Sequence, residues 1–579
     1  MKTIAFKKFA MLLAAGLLCL CAHSQTFQVT TTADSGPGSL REAMTNAIAV
    51  GGGTIIFPNL SGTISLQSAL PDISGNFTIA GSGPEHLAIN GFRTNRIFNV
   101  LAGANCKISD LSIQGSGPTI SGAPGSIPAS TAIANAGTMS ISNCIVQGNG
   151  SGAISGGAGG GAISSGGAGL VLNNVVLSNN VCHYMTALGA YNVRATNCLF
   201  IGNGTGDGAP IFAGGDSVFS DCTFNRNQAV YDGQGGGISA SGNLTLLNCN
   251  ITNNYGDWST GGIRFIGNNL VISNCVIINN EAGESYGAIY AEATNILILN
   301  SSISGNYASQ KSGGITLNGN ACLIGCTVSS NSSAFVYPGA GIEAFGTLKM
   351  TNCTVTGSSA AFFNPGVGVY CARTSTVWAV NCTIAYNGSG IDNTATGSVY
   401  ALNTIIAHNG SGPTNDVFGT LMSQGNNLIG NLTNATIVGT TNGNIYGVDP
   451  LLQPLRNNGG PTLTYALMKG SPAINAGTNI GVPLRDQRGI ARPCGNEVDI
   501  GAYEYDTLLF TDISRVNSTN IRLRVEGPPS SVCTIQASSN FLDWANVSAS
   551  SNGPVGVWEF VDHDAGNHAS RFYRALTGN

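Results

Sequence analysis

The chain has 579 residues and a formal net charge of −5, and because it carries no basic stripe this balance argues against a nucleic-acid partner. Charged residues make up only 9% of the sequence and glycine supplies 81 positions, whereas ordinary globular proteins carry roughly 25% charged residues. Such a composition can accompany disorder, but the regular placement of Ile, Leu and Val favours a buried column of apolar side chains.

Residues 1–24 are typical of a secretory signal peptide. Lysines near the start precede an apolar run from Phe9 to Cys21, and small residues follow at Ala22 and Ser24. The run is too short for a resident transmembrane helix, and no later stretch approaches that length. We therefore expect bacterial export of a chain that begins near Gln25, is secreted or held at the cell surface, and has no transmembrane segment after signal removal.

Residues 25–130 are expected to hold an amino-terminal cap and the first coils of a repeat. Ser39 and Glu42 have the spacing of a capping box, and the apolar residues around them predict a short helix that covers the open end of the fold. This apolar face consists of Leu40, Ala43, Met44, Ala47 and Ile48. Strands are then expected to begin within 52–57, 77–80 and 87–90.

Residues 131–448 repeat roughly every 25 residues around a phrase with asparagine at both ends, as in NCTIAYN at 381–387. From Cys198 to Cys382 the spacings are 24, 27, 26, 26, 25, 27 and 29 residues, with Ser301 in the place of one cysteine. Self-similarity at this period predicts a solenoid.

Each repeat has the pattern of three strands joined by bends. Leu244 and Leu246 share one face, Asn248 interrupts, and Cys249 and Ile251 share the next face. Asparagine suits such a bend because it tolerates a left-handed backbone. A third segment follows each glycine cluster, and the three together predict one coil of an all-β parallel β-helix.

The cysteines that follow the bends are expected to point inward. Stacked coils hold equivalent Cβ atoms about 4.8 Å apart, beyond the roughly 3.5–4.5 Å of a disulfide, and no spacing fits zinc. We expect buried packing thiols and no metal site, and we expect Cys249→Ser to destabilise the fold by burying a hydroxyl. The predicted ladder consists of Cys144, Cys198, Cys222, Cys249, Cys275, Cys326, Cys353 and Cys382.

Residues 449–506 form a closing segment that is rich in charge, and residues 507–579 change character again. The charges either bind a charged ligand or, as we favour, pair within a cap that terminates the stack. They are Arg485, Asp486, Arg488, Arg492, Glu497, Asp499, Glu504 and Asp506. Alternating segments at 521–525, 532–537, 557–561 and 571–575 predict a small antiparallel β-sandwich, in which Trp544 and Trp558 are expected to be core residues rather than sugar-stacking platforms.

Three parts of the chain carry a resemblance to known proteins. DSGPGSLREA at 34–43 and GTIIF at 53–57 resemble the opening of bacterial exported right-handed β-helix proteins. NNGGPTLTYAL at 457–467, GSPAINAG at 470–477, DQRG at 486–489 and DIGAYE at 499–504 resemble their choice-of-anchor Q segment. The resemblance covers about residues 26–505 and implies a right-handed coil and a secreted or surface location rather than a reaction.

One side of the coils gathers polar and aromatic residues when the Ile after each glycine cluster is taken as a register mark. The ligand-binding candidates are Tyr231, Trp258, Tyr286, Tyr290, Tyr337, Glu343 and Tyr370. The candidates for any catalysis are Asp232, Asp257, Glu284, Arg264 and Lys311. Arg264, Tyr290, Glu343 and Tyr370 directly follow the mark, so they should point outward, and the others lie in the preceding turns.

Two function classes remain open. The favoured one is a monomeric adhesive or structural surface protein that binds polysaccharide or cell-surface glycan without a cofactor. The alternative is a polysaccharide lyase or glycoside hydrolase acting along the coil face, because many right-handed β-helices resemble such enzymes. Hydrolysis would need paired carboxylates, and elimination would need a base with Ca²⁺ or another charge neutraliser. Neither a paired-Asp motif nor an Arg/Lys motif of such enzymes is visible.

Overall fold

A computed structural model of the protein describes residues 25–577 apart from 93–94, 117–130, 151–160, 168, 183–185, 232, 335–340, 362–365, 411–414, 507, 528–531 and 552–556. The predicted signal peptide at 1–24 and the candidate residues Asp232 and Tyr337 lie outside the described residues. Within the described part of the chain, no helix is long and apolar enough to cross a membrane.

Residues 26–446 form a right-handed parallel β-helix of about 14 turns, which confirms the predicted solenoid. Each full coil runs through three sheets, which we call faces A, B and C, and several coils add a two-residue strand on a fourth side, face D. In one coil Ile263–Ser273 supplies faces A and B, Val276–Ile278 supplies face C, and Glu281–Ala282 supplies face D. The next coil begins at Ile289, in register with Ile263.

Faces A and B share their longest strands. Face A alone is formed by Phe98–Val100, Ile133–Asn135, Ile163–Ser165, Leu188–Tyr191, Ile211–Gly214, Val367–Cys371 and Ser389–Asn393. Strands that supply both faces are Ile238–Leu247, Ile263–Ser273, Ile289–Leu299, Ile315–Ile324, Ile342–Thr351 and Val417–Gln424. Face B alone is formed by Thr26–Gln28, Gly52–Ile56, Asn76–Ala80, Asn105–Ser109, Val193–Thr196, Asp216–Ser220, Thr376–Val380, Ser398–Leu402 and Ala435–Thr440.

Faces C and D complete the coils. Thr138–Gln147 and Gly169–Ser178 supply faces B and C together. The other strands of face C are Gly62–Ser65, Leu87–Asn90, Ser112–Gln114, Leu199–Ile201, Thr223–Asn225, Asn250–Thr252, Val276–Ile278, Ser302–Ser304, Thr327–Ser329, Thr354–Thr356, Thr383–Ala385, Ile405–Ala407, Leu428–Ile429 and Ile445–Tyr446. Face D consists of Val181–Cys182, Gly204–Thr205, Gln228–Ala229, Tyr255–Gly256, Glu281–Ala282, Tyr307–Ala308, Ser332–Ser333 and Ser359–Ala360.

Asparagines in the left-handed conformation make the bend between faces B and C, as predicted. Asn248 and Asn274 both have a φ of 53°, and Asn274 Nδ2 donates a hydrogen bond of 3.3 Å to Asn248 Oδ1 in the coil before it. The side chain that permits the bend therefore also links neighbouring coils.

A second asparagine ladder, at the last position of the repeat phrase, is buried between faces C and D. Asn254 Nδ2 donates to Asn280 Oδ1 at 2.9 Å and to Phe224 O at 3.0 Å, and the backbone amide of Asn254 donates to the same Oδ1 at 3.1 Å. The amides thereby satisfy one another inside the coil, where an unpaired polar group would be costly. This ladder consists of Asn149, Asn180, Asn203, Asn227, Asn254, Asn280, Asn306 and Asn331.

The cysteine ladder points inward, as predicted: its eight members are between 0 and 3% exposed, and the cysteines that the structure describes are free thiols. Burial raises the pKa of Cys106 and Cys144 to about 12, so their sulfurs stay protonated. Ser301 occupies the ladder with its hydroxyl satisfied, because it donates to Leu299 O at 2.7 Å and accepts from Cys275 N at 3.0 Å. A hydroxyl at this ladder position therefore finds the partners that it needs, which reduces the destabilisation expected of Cys249→Ser.

The predicted amino-terminal helix spans Leu40–Ala49 and packs against the first two strands of face B. Ser39 Oγ accepts from the Glu42 amide at 3.2 Å, and the Glu42 carboxylate accepts from the Gly38 amide at 2.6 Å. Leu40, Ala43, Met44 and Ala47 are buried in the same core as the coils. The helix therefore extends the apolar column beyond the first coil.

The closing segment, residues 449–506, lies along the side of the late coils and is not a plug at the end of the stack. Its chain covers the outer side of face C, where Thr327 Oγ1 donates to Leu463 O at 2.6 Å and Thr356 Oγ1 lies 2.7 Å from Tyr465 Oη. Its apolar residues join Ile405 and Leu428 in a second core. The outer residues of this part of face C are Thr, Ser or aliphatic and carry no charge, which allows a segment to cover them.

Ion pairs hold the closing segment together as expected, but the expectation that it is a cap terminating the stack is wrong, because the segment packs along face C. Arg492 contacts Glu504 at 2.7 Å with both side chains buried, and Arg488 contacts Asp486 at 2.7 Å and Asp506 at 2.9 Å. Burial, together with the charge of Glu504, raises the pKa of Asp499.

Two small antiparallel sheets end the chain, where a sandwich of strands was predicted. One consists of Leu509–Arg515, Ile521–Glu526 and Val557–Asp562, and the other of Val532–Ser538, Ala545–Ser551 and Phe572–Thr577, with a 3-10 turn at Ala565–Asn567. Trp558 is a core residue at 3% exposure. Trp544, in contrast, is half-buried with the guanidinium of Arg574 4.3 Å from its ring centre.

Candidate functional site

A continuous outward row runs across face A of the middle coils. The strand register aligns Arg264 with Tyr290, Tyr290 with Thr316, Thr316 with Glu343, and Glu343 with Tyr370. Successive coils are about 4.8 Å apart, so these positions span roughly 19 Å. The four residues predicted to follow the register mark therefore do share one row.

Two tyrosines of one coil stack on each other, Tyr290 in the row and Tyr286 in the turn before it. The ring centres of Tyr286 and Tyr290 are 4.5 Å apart and their planes differ by 23°. Lys311, from the turn of the next coil, places Nζ 3.2 Å from the hydroxyl of Tyr286 and 4.8 Å from its ring centre. We call Tyr286, Tyr290 and Lys311 the face-A cluster.

The two phenol groups of the cluster have raised pKa values. Burial raises the pKa of Tyr286 to about 12, with a further contribution from the charges of Glu343 and Glu292. The pKa of Tyr290 is also raised to about 12, first by burial and then by the hydrogen bond of 3.0 Å that its hydroxyl donates to Glu292. At neutral pH both rings therefore act as apolar faces with hydroxyl donors.

Glu343 is an acidic side chain of the row that is nearly buried, at 8% exposure. It accepts a hydrogen bond of 3.1 Å from the Thr316 hydroxyl in the preceding coil. Burial raises the pKa of its carboxyl, and the Thr316 hydroxyl and the charge of Lys311 oppose that shift. The raised pKa favours the protonated form of the carboxyl, so Glu343 is a candidate for sharing a proton with a ligand hydroxyl.

Most of the candidate residues in the turns before face A lie outside the face-A cluster. Asp257 Oδ1 accepts a hydrogen bond of 2.8 Å from Tyr255 Oη within its own coil. Trp258 is 53% exposed and Tyr231 is 47% exposed. Glu284 is half-buried. These four residues lie in the turns that precede face A, whereas Tyr286 and Lys311 belong to the face-A cluster.

Four residues of the row and its surroundings were not recognised as candidates from the sequence. Thr316 and Asp392 lie in the outward row itself, Glu292 lies two positions after Tyr290, and Tyr255 holds Asp257. Counting coil equivalents from Arg264 identifies Thr316 and Asp392 without a structure. Glu292 could have been found because side chains two positions apart share one side of a strand.

Electrostatically, the cluster and the outward row together carry both signs of charge. The cations are Arg264, whose Nη1 lies 3.4 Å from Gln234 Oε1, and Lys311. The acids are Glu292, Glu343 and Asp392. Within the described residues no group of three or more His, Cys, Asp or Glu side chains is placed to hold a metal ion. The surface therefore offers stacking faces with hydrogen-bond donors and acceptors.

Comparisons with known proteins give one family match and two distant structural similarities. The family model for the right-handed beta helix region matches residues 96–262 and 231–364. Among solved structures, the chain is similar to ORF18 of Geobacillus virus E2 at 12% identity and a TM-score of 0.23, over 94% of this chain and 77% of that one. It is also similar to the A-module of the mannuronan C-5 epimerase AlgE4 of Azotobacter vinelandii at 13% identity and a TM-score of 0.24, over 73% and 98% of the two chains.

A comparison with curated proteins finds no match. Repeat period, strand register and the matched family model all describe one architecture. The chain is a right-handed parallel β-helix repeat protein.

Proposed function

We propose that the protein binds polysaccharide along face A, with the face-A cluster as the centre of the site. The observation that carries the proposal is the stacked pair Tyr286 and Tyr290 with Lys311 beside it, within an in-register polar row. Aromatic faces with a small number of convergent polar groups are what sugar rings and their hydroxyls require. The row is as long as a few sugar units.

The proposal extends to location and attachment. The amino-terminal sequence supports export, and the phrases within 457–504 support a surface protein of the choice-of-anchor Q type. In this reading the protein is a monomeric, adhesive or structural component that holds glycan outside the cell without a cofactor. Fractionating cells that produce the full chain, and sequencing the amino terminus of the exported form, tests this: a start near Gln25 supports it, and retention in the cytoplasm of the full chain contradicts it.

Binding is tested on the purified protein with a panel of plant, algal and host polysaccharides, measured by affinity electrophoresis. Tyr290→Ala should weaken the interaction by about tenfold, because it removes one stacked face and the hydroxyl held by Glu292. The matched control is Tyr400→Ala, which disrupts a stacked aromatic pair with Trp378 on face B, with ring centres 4.0 Å apart. Equal effects of the two variants, or no binding at all, would count against a site on face A.

The second candidate is a lyase or hydrolase at the same place. It is favoured by one observation: Lys311 is within hydrogen-bond distance of a phenol, and its charge acts on the carboxyl of Glu343, whose pKa burial raises. Elimination from a uronic acid polymer uses a base and a charge neutraliser, roles for which Glu343 and the cations Arg264 and Lys311 are the candidates, with Ca²⁺ as a further neutraliser. Unsaturated or reducing ends that accumulate with the wild type and disappear with Lys311→Met would establish it, and binding without new ends would exclude turnover of the polymers tested.

A further inference from the structure

The first coils carry a depression that belongs to neither face A nor the closing segment. It has a volume of about 480 Å³ and is lined by Asn90, Phe92, Gln114, Gly115, Gln147, Gly148 and Asn179. The volume lies within the roughly 300–1,000 Å³ of ordinary small-ligand sites. None of the described residues that line it carries a charge, unlike the face-A cluster.

Phe92 has two unusual properties at once. Its side chain is 67% exposed, and its backbone has a φ of 55°. A bulky residue rarely adopts this left-handed conformation, which costs free energy, and an exposed ring recovers little of that cost by burial. The side chain of Asn90 holds the turn, because its Oδ1 accepts from the Phe92 amide at 2.8 Å. The chain therefore presents an aromatic face to the solvent at the rim of the depression.

The floor of the depression is a row of amides on face C. The register aligns Asn90 with Gln114 and Gln114 with Gln147, so the three side chains are about 4.8 Å apart in successive coils. Gln147 Nε2 donates to Gln114 Oε1 at 3.3 Å. Within the described residues, Gln147 Oε1, Gln114 Nε2 and Asn90 Nδ2 make no hydrogen bond. One acceptor and two donors are thus free beside the aromatic ring.

Glycine keeps the depression open. Gly148 has a φ of 60°, and a Cβ built there would meet no heavy atom within 4 Å, so it would point into free space. At the equivalent position of the next coil stands Asn179, with a φ of 52° and an exposed side chain. The backbone at this position accepts an asparagine, and the glycine leaves room for a ligand.

We propose that this depression is a second carbohydrate site, and that it takes neutral sugar residues. The ring of Phe92 supplies a stacking face, and the free amide groups of Asn90, Gln114 and Gln147 pair with hydroxyls. An uncharged lining offers nothing that would compensate a carboxylate or sulfate, so acidic sugars are disfavoured. The proposal does not depend on face A, because the two sets of residues lie in different coils.

The test is isothermal titration calorimetry of the full chain with cellohexaose, mannohexaose and xylohexaose, and with hexagalacturonate as the acidic probe. At least one neutral hexasaccharide should bind, and Phe92→Asn should weaken it by about tenfold or more. Asparagine tolerates the left-handed backbone, so this variant removes the ring and retains the fold. Gln147→Met, which keeps the volume and removes the amide, should also weaken binding, and Gly148→Asn should narrow the site.

Phe541→Asn is the matched control, because Phe541 is another exposed phenylalanine, at 61% exposure, with a φ of 62° in the carboxy-terminal module. The affinity of Phe541→Asn for the neutral hexasaccharide should equal that of the wild type. The proposal is overturned if no neutral hexasaccharide binds, if Phe92→Asn binds as tightly as the wild type, if Phe541→Asn loses as much affinity, or if the Phe92-dependent binding prefers hexagalacturonate. Thermal melting of each variant confirms that the coils are intact.

Discussion

Gln487 Nε2 donates a hydrogen bond of 2.9 Å to the hydroxyl of Thr327, which lies 160 residues earlier in the chain. The same nitrogen reaches Thr462 Oγ1 at 2.8 Å, and Gln487 Oε1 accepts from Thr354 Oγ1 at 2.7 Å. One buried amide thus joins the closing segment to two successive coils. Neither the coils nor the segment alone satisfies these hydroxyls.

Gln487→Ala should therefore loosen the closing segment. The change removes the acceptor of the buried Thr354 hydroxyl and the donor to the Thr327 and Thr462 hydroxyls, and a buried group left unsatisfied costs about 1–3 kcal/mol. We expect faster cleavage between 449 and 506 in limited proteolysis and a lower melting temperature. Gln310→Ala, at an exposed position, serves as the control and should change neither. A closing segment that stays equally resistant to protease in Gln487→Ala would show that the apolar contacts hold it alone.

Cys249→Ser should cost little stability, within about 1 kcal/mol. Ser301 shows why, because a hydroxyl at this ladder position donates to the backbone carbonyl two residues earlier, and Cys249 Sγ already lies 3.3 Å from the equivalent Leu247 O. Cys249→Leu, by contrast, adds volume to a packed interior and should cost about 1–3 kcal/mol. Urea unfolding of the two variants compares these costs, and a serine variant as unstable as the leucine variant would contradict the hydrogen bond.

The buried thiols should make stability and reactivity depend on alkaline pH. The pKa of Cys106 and Cys144 is raised from 9.0 to about 12 in the folded chain. Their contribution to the free energy of unfolding is therefore fully present below pH 9 and is lost as the pH rises towards 12. Native protein at pH 9 should react with few equivalents of a thiol reagent, and urea-denatured protein with many. Rapid labelling of most thiols in the native state would mean that the ladder is accessible.

Glu343→Gln tests the buried acid of face A. Burial raises the pKa of the Glu343 carboxyl, so the folded state holds a proton that the unfolded state releases. In the window above the ordinary carboxyl pKa, stability should fall as the pH rises. The glutamine keeps an acceptor for Thr316 and removes the titration, so the slope of melting temperature against pH should become flatter. Parallel slopes for wild type and variant would contradict a raised pKa.

Deleting residues 34–50 should cause aggregation rather than give a shortened soluble solenoid. The deletion removes the helix Leu40–Ala49 and uncovers the first coil, whose apolar interior and strand edge then face water. Size-exclusion chromatography with light scattering measures the outcome. Arg41→Ala, which breaks the 2.6 Å contact to Asp34 but leaves the apolar face, should remain monomeric. A stable monomer after the deletion would mean that the helix covers nothing important.

The fold of the periodic part of the chain could be predicted from the sequence because each coil repeats the same residue pattern. The bends at Asn248 and Asn274, the inward cysteines and the alignment of Arg264 with Tyr290 follow from counting alone. Thr316 was missed because it has neither charge nor ring, although counting places it in the row. The role of the second asparagine of the phrase was missed because its partner is the same residue one coil later.

The closing segment could not be placed from sequence for a different reason. It has no period, and its partners lie far away along the chain: Thr462 donates to Gly325 O, 137 residues earlier. Charges such as Arg488 and Asp486 were recognised as partners of one another because they are close in sequence. No residue pattern within the segment predicts that it lies along face C. Its position depends on the outer residues of Thr327–Ser329 and of the later strands, which are far away in the sequence.

The buried asparagine ladder has a direction. Each side chain donates to the oxygen of the next coil and accepts from the one before, so a coil can be duplicated or removed without changing what its neighbours need. The run is interrupted at Ser358, whose hydroxyl has no partner within the described residues, and resumes at Asn387 and Asn409. It ends where Asn409 Nδ2 donates to Asp416 Oδ1 at 2.8 Å. A carboxylate only accepts, so the chain of side-chain donors and acceptors that runs from coil to coil ends at Asp416.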